Sequence, residues 1–318
     1  MDKQIVLVTG GCGFIGSHLV ERLVQENYYV RVLDNLSTGK LENLSAVPSD
    51  KIEVIIGNVT DFDTVKNAVQ DCTYVFHEAA IPSVPQSIAD PLSTGRVNYI
   101  GTLNVLEASR QCHVRRVIFA SSAAVYGDEP TLPKHELMLA QPISPYGADK
   151  RASELMGLVY SQICDLEFVA LRYFNVFGPR QDPSGSYAGV ISIFCDCIQQ
   201  DISPFIYGDG TQSRDFIYVS DVVQANLIVM KHPDTKIGVF NVGRGESVTL
   251  INLINTLNEL SDKNVKAAHQ PARVGDIRHS VSDISTLKVL GWTATISIHD
   301  GLAFLLDSLK NKNIAVLQ

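Results

Sequence analysis

Tyr146 and Lys150 stand four residues apart in the segment "SPYGADK", and this spacing could support proton transfer. If a helix begins here, both side chains lie on one face, one turn apart. A phenol with an ordinary pKa of about 10 needs a shift of about three units, or about 4 kcal/mol, to ionise near pH 7. One positive charge at about 4 Å supplies that much at an effective dielectric constant near 20. The pair could therefore act as a base, although the spacing alone is typical of a solvated helix surface.

A further hydroxyl group, on Ser122, follows a strand-like run in "RRVIFASSAAVYG". The carboxyl ends of parallel strands open onto one crevice, so Ser122 could hydrogen-bond a reacting hydroxyl beside Tyr146. Adjacent serines also cap turns, which is the structural alternative. Because the serine occurs together with the tyrosine and lysine, we predict that Ser122, Tyr146 and Lys150 form a catalytic set.

Three glycines punctuate the segment "VTGGCGFIGSHLVERL" between the first predicted strand and a helix. Gly10 allows a tight turn, Gly13 lets the backbone approach a pyrophosphate at the helix N-terminus, and Gly16 permits close helix packing. The spacing is GxxGxxG, and glycines alone also occur in purely structural turns. Asp34 ends the second predicted strand, where a carboxylate can accept both hydroxyls of a ribose. Together these features predict a dinucleotide site.

The residues after Asp34 indicate which dinucleotide binds. The following "NLSTG" contains no arginine, so a 2′-phosphate would meet a carboxylate and not a cation. We therefore expect NAD and not NADP, and the positive charge of its oxidised nicotinamide would assist Lys150 in making Tyr146 a base. Asn58, after the third predicted strand, could pair with the adenine edge, or could serve only as a turn residue.

Short apolar runs alternate with helical patterns up to about residue 175. Runs of this kind are buried on both faces, which predicts a doubly wound parallel sheet of the Rossmann type in an α/β fold. The predicted strands are "QIVLVT", "YYVRVLD", "IEVIIG", "YVFHEAA", "RRVIFAS" and "EFVALRYF". Beyond Asn175 the alternation loosens, and "VTLINLINTLNEL" and "HDGLAFLLDSLKN" are amphipathic helical patterns. We predict a cofactor domain over 1–175 and a smaller α/β substrate domain over 176–318, with the chain crossing between them.

Composition limits the possible partners of this chain of 318 residues. With 26 Lys and Arg against 34 Asp and Glu, the net charge of −8 disfavours nucleic acid as a partner. The six cysteines form no CxxC pair or His/Cys cluster, so we expect no metal site and reduced thiols in the cytoplasm. The sequence also predicts neither a signal peptide nor a membrane span.

Nearly the whole chain resembles the extended short-chain dehydrogenase/reductase family, and within it the nucleotide-sugar 4-epimerases. Beyond the motifs above, the matching stretches are "LDNLSTG", "HEAA", "VNYIGTLNVLEA", "RYFNVFGPRQ", "SRDFIYVSDV", "FNVG" and "RVGDIRHS". The resemblance implies tightly held NAD. The cofactor set is then Gly10, Gly13, Phe14, Ile15, Gly16, Asp34, Asn35, Ser37, Thr38, Gly39, Asn58, Val59, Ala79, Ala80, Asn98, Tyr146, Lys150 and Tyr173.

The resemblance also implies a UDP-sugar substrate and a homodimer formed by the helix after Asn98 and the helix of Tyr146. The substrate set is then Ser83, Ser122, Tyr146, Asn175, Val190, Tyr207, Arg214, Arg273, Asp276 and Ser280. Two arginines can clamp a diphosphate with paired N–H donors. Phe216 stands where relatives often carry tyrosine, so the hydrogen bond of that hydroxyl is lost, and stacking or packing against the nucleoside is the remaining role.

The reaction that the resemblance implies is inversion at C4 of a UDP-hexose through a transient 4-keto sugar, with NAD regenerated. Ser280 matches a position that borders the sugar C2 substituent, where a bulky tyrosine excludes acetylated sugars. We therefore expect UDP-N-acetylglucosamine and UDP-N-acetylgalactosamine as substrates, together with UDP-glucose and UDP-galactose.

Three other functions are compatible with this fold. A 4,6-dehydratase needs two acidic residues where this chain has Ala123 and Ala124, so that activity is disfavoured. A nucleotide-sugar decarboxylase begins with the same oxidation at C4 and remains an alternative. A non-catalytic NAD-sensing regulator is a further alternative, against which the retained Ser122, Tyr146 and Lys150 count.

Overall fold

A computed structural model describes residues 4–182, 189–272 and 278–316, with side chains up to residue 310. In chain order, the strands are β1 (Ile5–Thr9), β2 (Tyr29–Asp34), β3 (Ile52–Ile56), β4 (Cys72–His77), β5 (Arg116–Ser122), β6 (Glu167–Tyr173), β7 (Asn175–Phe177), β8 (Phe205–Tyr207), β9 (Ser213–Arg214), β10 (Phe216–Tyr218), β11 (Ile237–Val242), β12 (Val248–Thr249) and β13 (Ala268–Gln270). The α-helices are α1 (Phe14–Gln25), α2 (Phe62–Val69), α3 (Val84–Ala89), α4 (Pro91–Gly95), α5 (Gly101–Gln111), α6 (Pro145–Ile163), α7 (Val190–Gln199), α8 (Val219–Lys231), α9 (Leu250–Ser261), α10 (Ser285–Val289) and α11 (Ile298–Val316). Short 3₁₀ helices span Leu41–Leu44, Ser49–Lys51 and Ala123–Tyr126.

The central sheet of the described chain has seven parallel strands in the order β11-β6-β5-β4-β1-β2-β3. The order reverses between β1 and β4, which is where ligands bind in doubly wound sheets. This topology confirms the predicted Rossmann-type α/β fold, and all six predicted strands belong to the sheet.

Both faces of the sheet are covered, which explains why its strands read as continuous apolar runs. On one face Val6, Val8 and Val32 contribute to a core with residues of α1 and α8. On the opposite face Leu7 and Phe119 contribute to a core with residues of α2 and α5. Neighbouring residues of a strand therefore point into different cores.

After β7 the chain forms a second unit with its own core and returns to the central sheet. Phe177, Ile191 and Phe194 belong to this second core, which residues of α9 and α11 complete. The short strands form two-stranded pairs, β10 with β7, β12 with β9, and β13 with β8. Since β11 pairs with β6, part of the chain beyond residue 175 belongs to the central sheet. The division into 1–175 and 176–318 stays a prediction.

Residues 91–111 form one helical run with an irregular middle. Between α4 and α5, Arg96–Ile100 has the wider π-helical pattern, and insertions of this kind often accompany functional sites.

Within the described residues, no helix combines enough length and apolar character to cross a membrane. The six cysteines are free thiols, three buried and three half-buried.

Candidate active site

The loop between β1 and α1 has the compact backbone that a bound pyrophosphate requires. Gly10 has a φ of 69°, and a Cβ there would lie 2.8 Å from the backbone nitrogen of Ala79. A Cβ on Gly16 would lie 2.2 Å from the Gly10 carbonyl oxygen, so α1 can approach the loop only with glycine at this position. Gly13 is the N-cap, and no side chain caps the first turn, which contains Phe14 and Ile15. The N–H groups of this turn are thus available to an anion.

Asp34 connects the glycine-rich loop with the loop that follows β2. Its Oδ2 accepts from the backbone N–H of Cys12 at 2.9 Å, and its Oδ1 accepts from that of Leu36 at 2.8 Å. The carboxylate is therefore oriented by two backbone donors at the end of the strand. The Asn35 side chain accepts from the backbone N–H of Ser37 at 3.0 Å. Two further predicted cofactor residues follow in the same loop. Thr38 is exposed and Gly39 is buried.

Asn58 and Val59 follow β3 in the turn that leads to α2. The Asn58 side-chain oxygen accepts from the backbone N–H of Thr60 at 3.0 Å, which is the turn role considered for this residue. The Val59 carbonyl accepts from the Asn104 amide at 2.9 Å. Contact of Asn58 with adenine stays a prediction.

Asn98 fixes the backbone immediately after the predicted cofactor residues Ala79 and Ala80. It is buried in the π-helical segment and forms two hydrogen bonds with Ile81, accepting from its N–H at 2.8 Å and donating to its carbonyl at 3.0 Å. Ala79 itself donates its N–H to the Thr9 hydroxyl at 3.2 Å. Asn98 therefore holds the backbone that follows Ala79 and Ala80, and its contact with the cofactor stays a prediction.

The helix α6 begins at Pro145, as the Tyr146 to Lys150 interpretation requires. Ser144 is the N-cap and accepts from the N–H of Gly147 at 3.1 Å, while proline occupies the first helical position. The N–H of Tyr146 donates to the Ser87 hydroxyl of α3 at 3.1 Å. A Cβ on Gly147 would lie 2.7 Å from the Ala124 carbonyl, so the start of α6 lies directly against the turn that follows Ser122.

The Tyr146 phenol lies near the Ser122 hydroxyl and interacts with it. Burial raises the pKa of the Tyr146 phenol, the interaction with Ser122 lowers it, and the charge of Glu78 raises it. The phenol therefore stays protonated without a bound cation, in line with the expectation that oxidised nicotinamide is needed to make it a base. The Ser122 hydroxyl also accepts from the N–H of Ala124 at 3.1 Å. The cap role considered for Ser122 is therefore present in the structure, and its catalytic role stays a prediction.

Lys150 lies on the same face of α6 as Tyr146. Its Nζ is 5.8 Å from the centroid of the Tyr146 ring and 4.8 Å from that of Phe119, and it donates to the Ala120 carbonyl at 2.6 Å. Burial lowers the pKa of Lys150 to about 8, and the charge of Glu78 opposes this effect most strongly. The ammonium is therefore held at the carboxyl end of β5 within reach of a ligand shared with Tyr146.

Glu78 is a charged residue at this site that the sequence interpretation did not select. It follows β4 and accepts from the Tyr173 hydroxyl at 2.9 Å, and this hydroxyl accepts from the Asn226 amide at 2.8 Å. Burial raises the pKa of Glu78 to about 7, although the hydrogen bond from Tyr173 and the charge of Lys150 lower it. A glutamate directly after the buried run "YVFH" was the available signal, because strand ends line the crevice.

A buried ion pair holds α6 on the sheet. Both carboxylate oxygens of Glu154 accept from the Arg172 guanidinium at 2.8 Å, and one of them also accepts from the Ser121 hydroxyl at 2.6 Å. Burial alone would raise the pKa of Glu154, but the hydrogen bonds and charge of Arg172 outweigh it and lower this pKa. The pair therefore links α6, β5 and β6 just behind the candidate catalytic residues.

His77 lies close to Lys150, but it is not a candidate base. Its Nδ1 is 2.7 Å from the Thr9 hydroxyl and its Nε2 is 3.0 Å from the Thr102 hydroxyl. Burial, together with the charge of Lys150, lowers the pKa of His77 to about 3. The imidazole is consequently neutral and links β1, β4 and α5.

Several predicted substrate residues lie where the second unit meets the carboxyl edge of the sheet. Asn175 pairs with Phe216 two residues after the end of β6, and Arg214 lies two residues before Phe216. An Arg214 guanidinium nitrogen donates to the Ser213 carbonyl at 3.0 Å. The N–H of Ser280 donates to the same carbonyl at 3.1 Å, so Ser280 lies beside the strand of Arg214.

Other predicted substrate residues are distributed more widely. Ser83 is buried as the N-cap of α3 and accepts from the N–H of Gln86 at 3.0 Å. Val190 packs against the second core, and Tyr207 is the last residue of β8. Phe216 is 3% exposed within the second core, which indicates packing inside the protein and not against a nucleoside. The predictions for Arg273 and Asp276 fall outside the described residues.

The geometry of the glycine-rich loop fits NAD at the point where the strand order reverses, between β1 and β4. Its glycines leave a cradle that a Cβ would fill, α1 offers an uncapped N-terminus, and Asp34 presents a carboxylate at the end of β2. Ala79, which follows β4, lies directly against the Gly10 turn. In the described part of the chain, no group of three His, Cys, Asp or Glu side chains could hold a metal ion.

Comparisons with known proteins give the family of this chain. The UDP-glucose 4-epimerase of Mycolicibacterium smegmatis is 38% identical over 311 residues, covering 96% of this chain and 99% of the relative. The structure of a UDP-N-acetylglucosamine 4-epimerase from Methanobrevibacter ruminantium in complex with UDP-N-acetylmuramic acid has a TM-score of 0.94 and 39% identity, covering 98% of this chain and 100% of that one.

A second solved structure, the Thermus thermophilus UDP-glucose 4-epimerase in complex with NAD, has a TM-score of 0.89 and 38% identity, covering 96% of this chain and 99% of that one. The model of the NAD dependent epimerase/dehydratase family matches residues 6–243, which include the glycine-rich loop and the Tyr146 to Lys150 segment. This chain therefore belongs to the NAD dependent epimerase/dehydratase family.

Proposed function

We propose that this protein is a UDP-sugar 4-epimerase that retains NAD through the reaction. The observation that carries the proposal is the meeting of Tyr146, Ser122 and Lys150 at the carboxyl edge of the sheet, beside a loop shaped for a dinucleotide. Relatives and solved structures of similar sequence that bear 4-epimerase names support the reaction type.

The roles of the side chains follow from their contacts. Bound NAD would supply a reversible hydride acceptor for the sugar C4 and would therefore not be consumed. Tyr146 takes the proton of the sugar 4-hydroxyl and gives it back to the opposite epimer. Ser122 lies near Tyr146 and can hydrogen-bond the same oxygen of the sugar. Lys150 contributes a positive charge that favours the phenolate.

The substrates that we propose are UDP-N-acetylglucosamine, UDP-N-acetylgalactosamine, UDP-glucose and UDP-galactose. Ser280 supports the acetylated pair, because it lies beside the strand of Arg214 and is much smaller than tyrosine. Asp215 fixes the chain two residues after Ser280. It accepts from the backbone N–H of Ser282 at 2.9 Å and from the Ser282 hydroxyl at 2.6 Å. Arg214 is the proposed diphosphate ligand, with Arg273 and Asp276 as further proposed contacts.

The dehydratase alternative lacks its acidic residues in the described site. Ala123 and Ala124 occupy the 3₁₀ turn after Ser122, so the two acidic groups of a dehydratase are replaced by methyl groups there. The comparisons favour the epimerase over a decarboxylase or a non-catalytic regulator.

The proposal is tested by incubating purified protein separately with UDP-glucose, UDP-N-acetylglucosamine and UDP-glucuronic acid and identifying the products by NMR. We expect the C4 epimers of the first two, without accumulation of NADH. Formation of a UDP-pentose would instead show a decarboxylase, and absence of any product with NAD bound would support a regulator.

We also propose a homodimer, because two neighbouring helical segments expose large apolar side chains. Leu155, Val159 and Ile163 repeat at intervals of four residues along α6, and Ile163 is 72% exposed. Leu92 and Ile100, on the helical run that packs beside α6, are exposed as well. A second copy that covers this surface would form a four-helix contact.

Sedimentation experiments test the dimer. We expect the wild type to sediment as a dimer and Val159→Glu to be a monomer at the same concentration. Val289→Glu is the matched control, since Val289 is 85% exposed on α10, outside the proposed surface. A wild-type monomer, or equal effects of both substitutions, would refute the proposed surface.

A cytoplasmic location is part of the proposal and rests on the six free thiols.

A further inference from the structure

Asp215 is a fully buried carboxylate between the short strands β9 and β10, directly after Arg214. Its Oδ2 accepts from the backbone N–H of Ser282 at 2.9 Å, from the Ser282 hydroxyl at 2.6 Å and from the N–H of Gly245 at 3.1 Å. Its Oδ1 accepts from the backbone N–H of Arg244 at 2.7 Å. One carboxylate therefore receives four donors from two other segments, one after β11 and one before α10.

The contact with Ser282 determines where the chain segment of Ser280 lies. Before this contact, the Ser213 carbonyl accepts from the N–H of Ser280 at 3.1 Å. The Asp215 carboxylate then holds Ser282, two residues further along the same segment. The segment is thus joined at two points to the stretch that contains Arg214, so the distance between Ser280 and Arg214 is fixed on both sides.

The backbone carbonyl of Asp215 holds a third proposed substrate residue. It accepts from the backbone N–H of Asn175 at 3.0 Å and from the Asn175 side-chain amide at 3.2 Å. Asn175 is the first residue of β7, on a different segment from the two described above. A shift of the backbone at Asp215 would consequently displace Asn175 together with Arg214.

The contact between Asp215 and Ser282 is also packed against the central sheet. Gly243 directly follows β11, which pairs with β6 in that sheet. A Cβ on Gly243 would lie 2.3 Å from the Ser282 Oγ and 2.8 Å from the Asp215 Oδ2. The backbone that leaves the sheet therefore lies directly against this pair of side chains, with no room for a methyl group.

We propose that Asp215 is a positioning residue that holds the three proposed substrate residues Asn175, Arg214 and Ser280 in one arrangement against the central sheet. This inference rests on the proposed epimerase function. The hydrogen bonds of Asp215 described above involve neither α6 nor β5, which carry the candidate catalytic side chains. Loss of the carboxylate should therefore weaken binding of the UDP-sugar more than it slows proton transfer.

The first test is the affinity for UDP, measured by calorimetry on the NAD-loaded protein. We expect Asp215→Ala to bind UDP about tenfold more weakly than the wild type, because four buried donors lose their acceptor and their segments must rearrange around Arg214. This measurement does not require activity.

Asp221→Ala is the matched control for the loss of a buried carboxylate. Asp221 is 2% exposed on α8 and accepts from the backbone N–H of Thr295 at 3.1 Å, from its hydroxyl at 2.8 Å and from the N–H of Ile296 at 3.0 Å. Both substitutions should lower the midpoint of urea unfolding, since both leave buried donors without an acceptor. Only Asp215→Ala should weaken UDP binding.

The second test separates KM from kcat with UDP-galactose as substrate. We expect Asp215→Ala to raise KM by about tenfold and to keep kcat within about threefold of the wild type, the pattern of lost substrate binding. A merely structural role would reduce the amount of active enzyme, which lowers the apparent kcat and leaves KM unchanged.

Gly243→Ala tests the same contact with the carboxylate still present. The added methyl should force the Ser282 hydroxyl away from Asp215, so we expect a smaller loss of UDP affinity, about threefold. Gly157→Ala, whose Cβ would lie 2.3 Å from the Phe168 ring in another core, should leave UDP affinity unchanged. This pair decides the question if Asp215→Ala does not fold.

Unchanged UDP affinity in Asp215→Ala or Gly243→Ala, or an equal loss in Asp221→Ala, would overturn the proposed role of Asp215. A wild type that binds UDP but does not epimerise UDP-galactose would refute the proposed function, and the UDP affinities would still decide whether Asp215 positions the site. A wild type that does not bind UDP would overturn both.

Discussion

Gly147→Ala should separate the catalytic side chains without removing any of them. The added methyl would lie 2.7 Å from the Ala124 carbonyl oxygen and 3.0 Å from the Pro142 Cβ, whereas ordinary contacts of a Cβ begin at 3.4 Å. Because the closest neighbour is backbone, relief requires the start of α6 to move by about 0.7 Å from the turn that follows Ser122.

This displacement would directly change the position of Tyr146 relative to Ser122. A misplacement of about 1 Å at a catalytic group can cost about 100-fold in rate, so we expect kcat to fall by about 10- to 100-fold. Overpacking should also lower the free energy of unfolding by about 1–3 kcal/mol. Initial rates with UDP-galactose give kcat, and urea unfolding followed by circular dichroism gives the stability.

Gly157→Ala is the matched control on the same helix. Its Cβ would lie 2.3 Å from the Phe168 ring, in the core and away from Tyr146, so it should reduce stability with little change in kcat. A folded Gly147→Ala enzyme with a kcat within about twofold of the wild type would refute the reasoning. A loss of kcat that is equal in both variants would show that stability, and not alignment, is responsible.

Three further changes test other parts of the site. Tyr146→Phe should lower kcat by about two to four orders of magnitude while NAD content after gel filtration stays normal, and near-normal turnover would contradict its role as proton carrier. Ser280→Tyr should abolish turnover of the acetylated pair and spare UDP-galactose; equal loss on both would make Ser280 a packing residue. Glu154→Gln leaves the Arg172 charge buried and should reduce the free energy of unfolding by about 3–5 kcal/mol in urea, whereas an effect below about 1 kcal/mol would show that the pair is not a structural anchor.

The elements of the central sheet could be predicted from the sequence because each strand is buried on both faces. Runs such as that of β1 are apolar at every position, and the two flanking cores explain why. The start of α6 could also be predicted from the local sequence, since Ser144 and Pro145 form a standard helix N-terminus. The return of the chain as β11 depends on pairing with β6, and no local pattern specifies that pairing.

Individual roles within the cofactor cleft were less accessible to sequence reasoning. Asn98 is predicted to line the cofactor, and its amide also holds the backbone of Ile81, a contact that the sequence did not indicate. Such a contact joins residues 17 positions apart through a π-helical turn, which periodicity does not reveal. From the sequence alone, Phe216 could likewise have faced a ligand or a hydrophobic core. The packing of the second unit shows that it lies in the core.

The grouping of Glu78, Lys150 and Tyr173 depends on sheet order and not on spacing in the sequence. Glu78 and Tyr173 are 95 residues apart, and their hydrogen bond requires that β4 and β6 flank the same strand. Lys150 joins them because α6 packs with its first turn at the end of β5. Burial has the largest effect on the pKa of both Tyr146 and Lys150, and the charge of Glu78, which lies outside their motif, raises both pKa values.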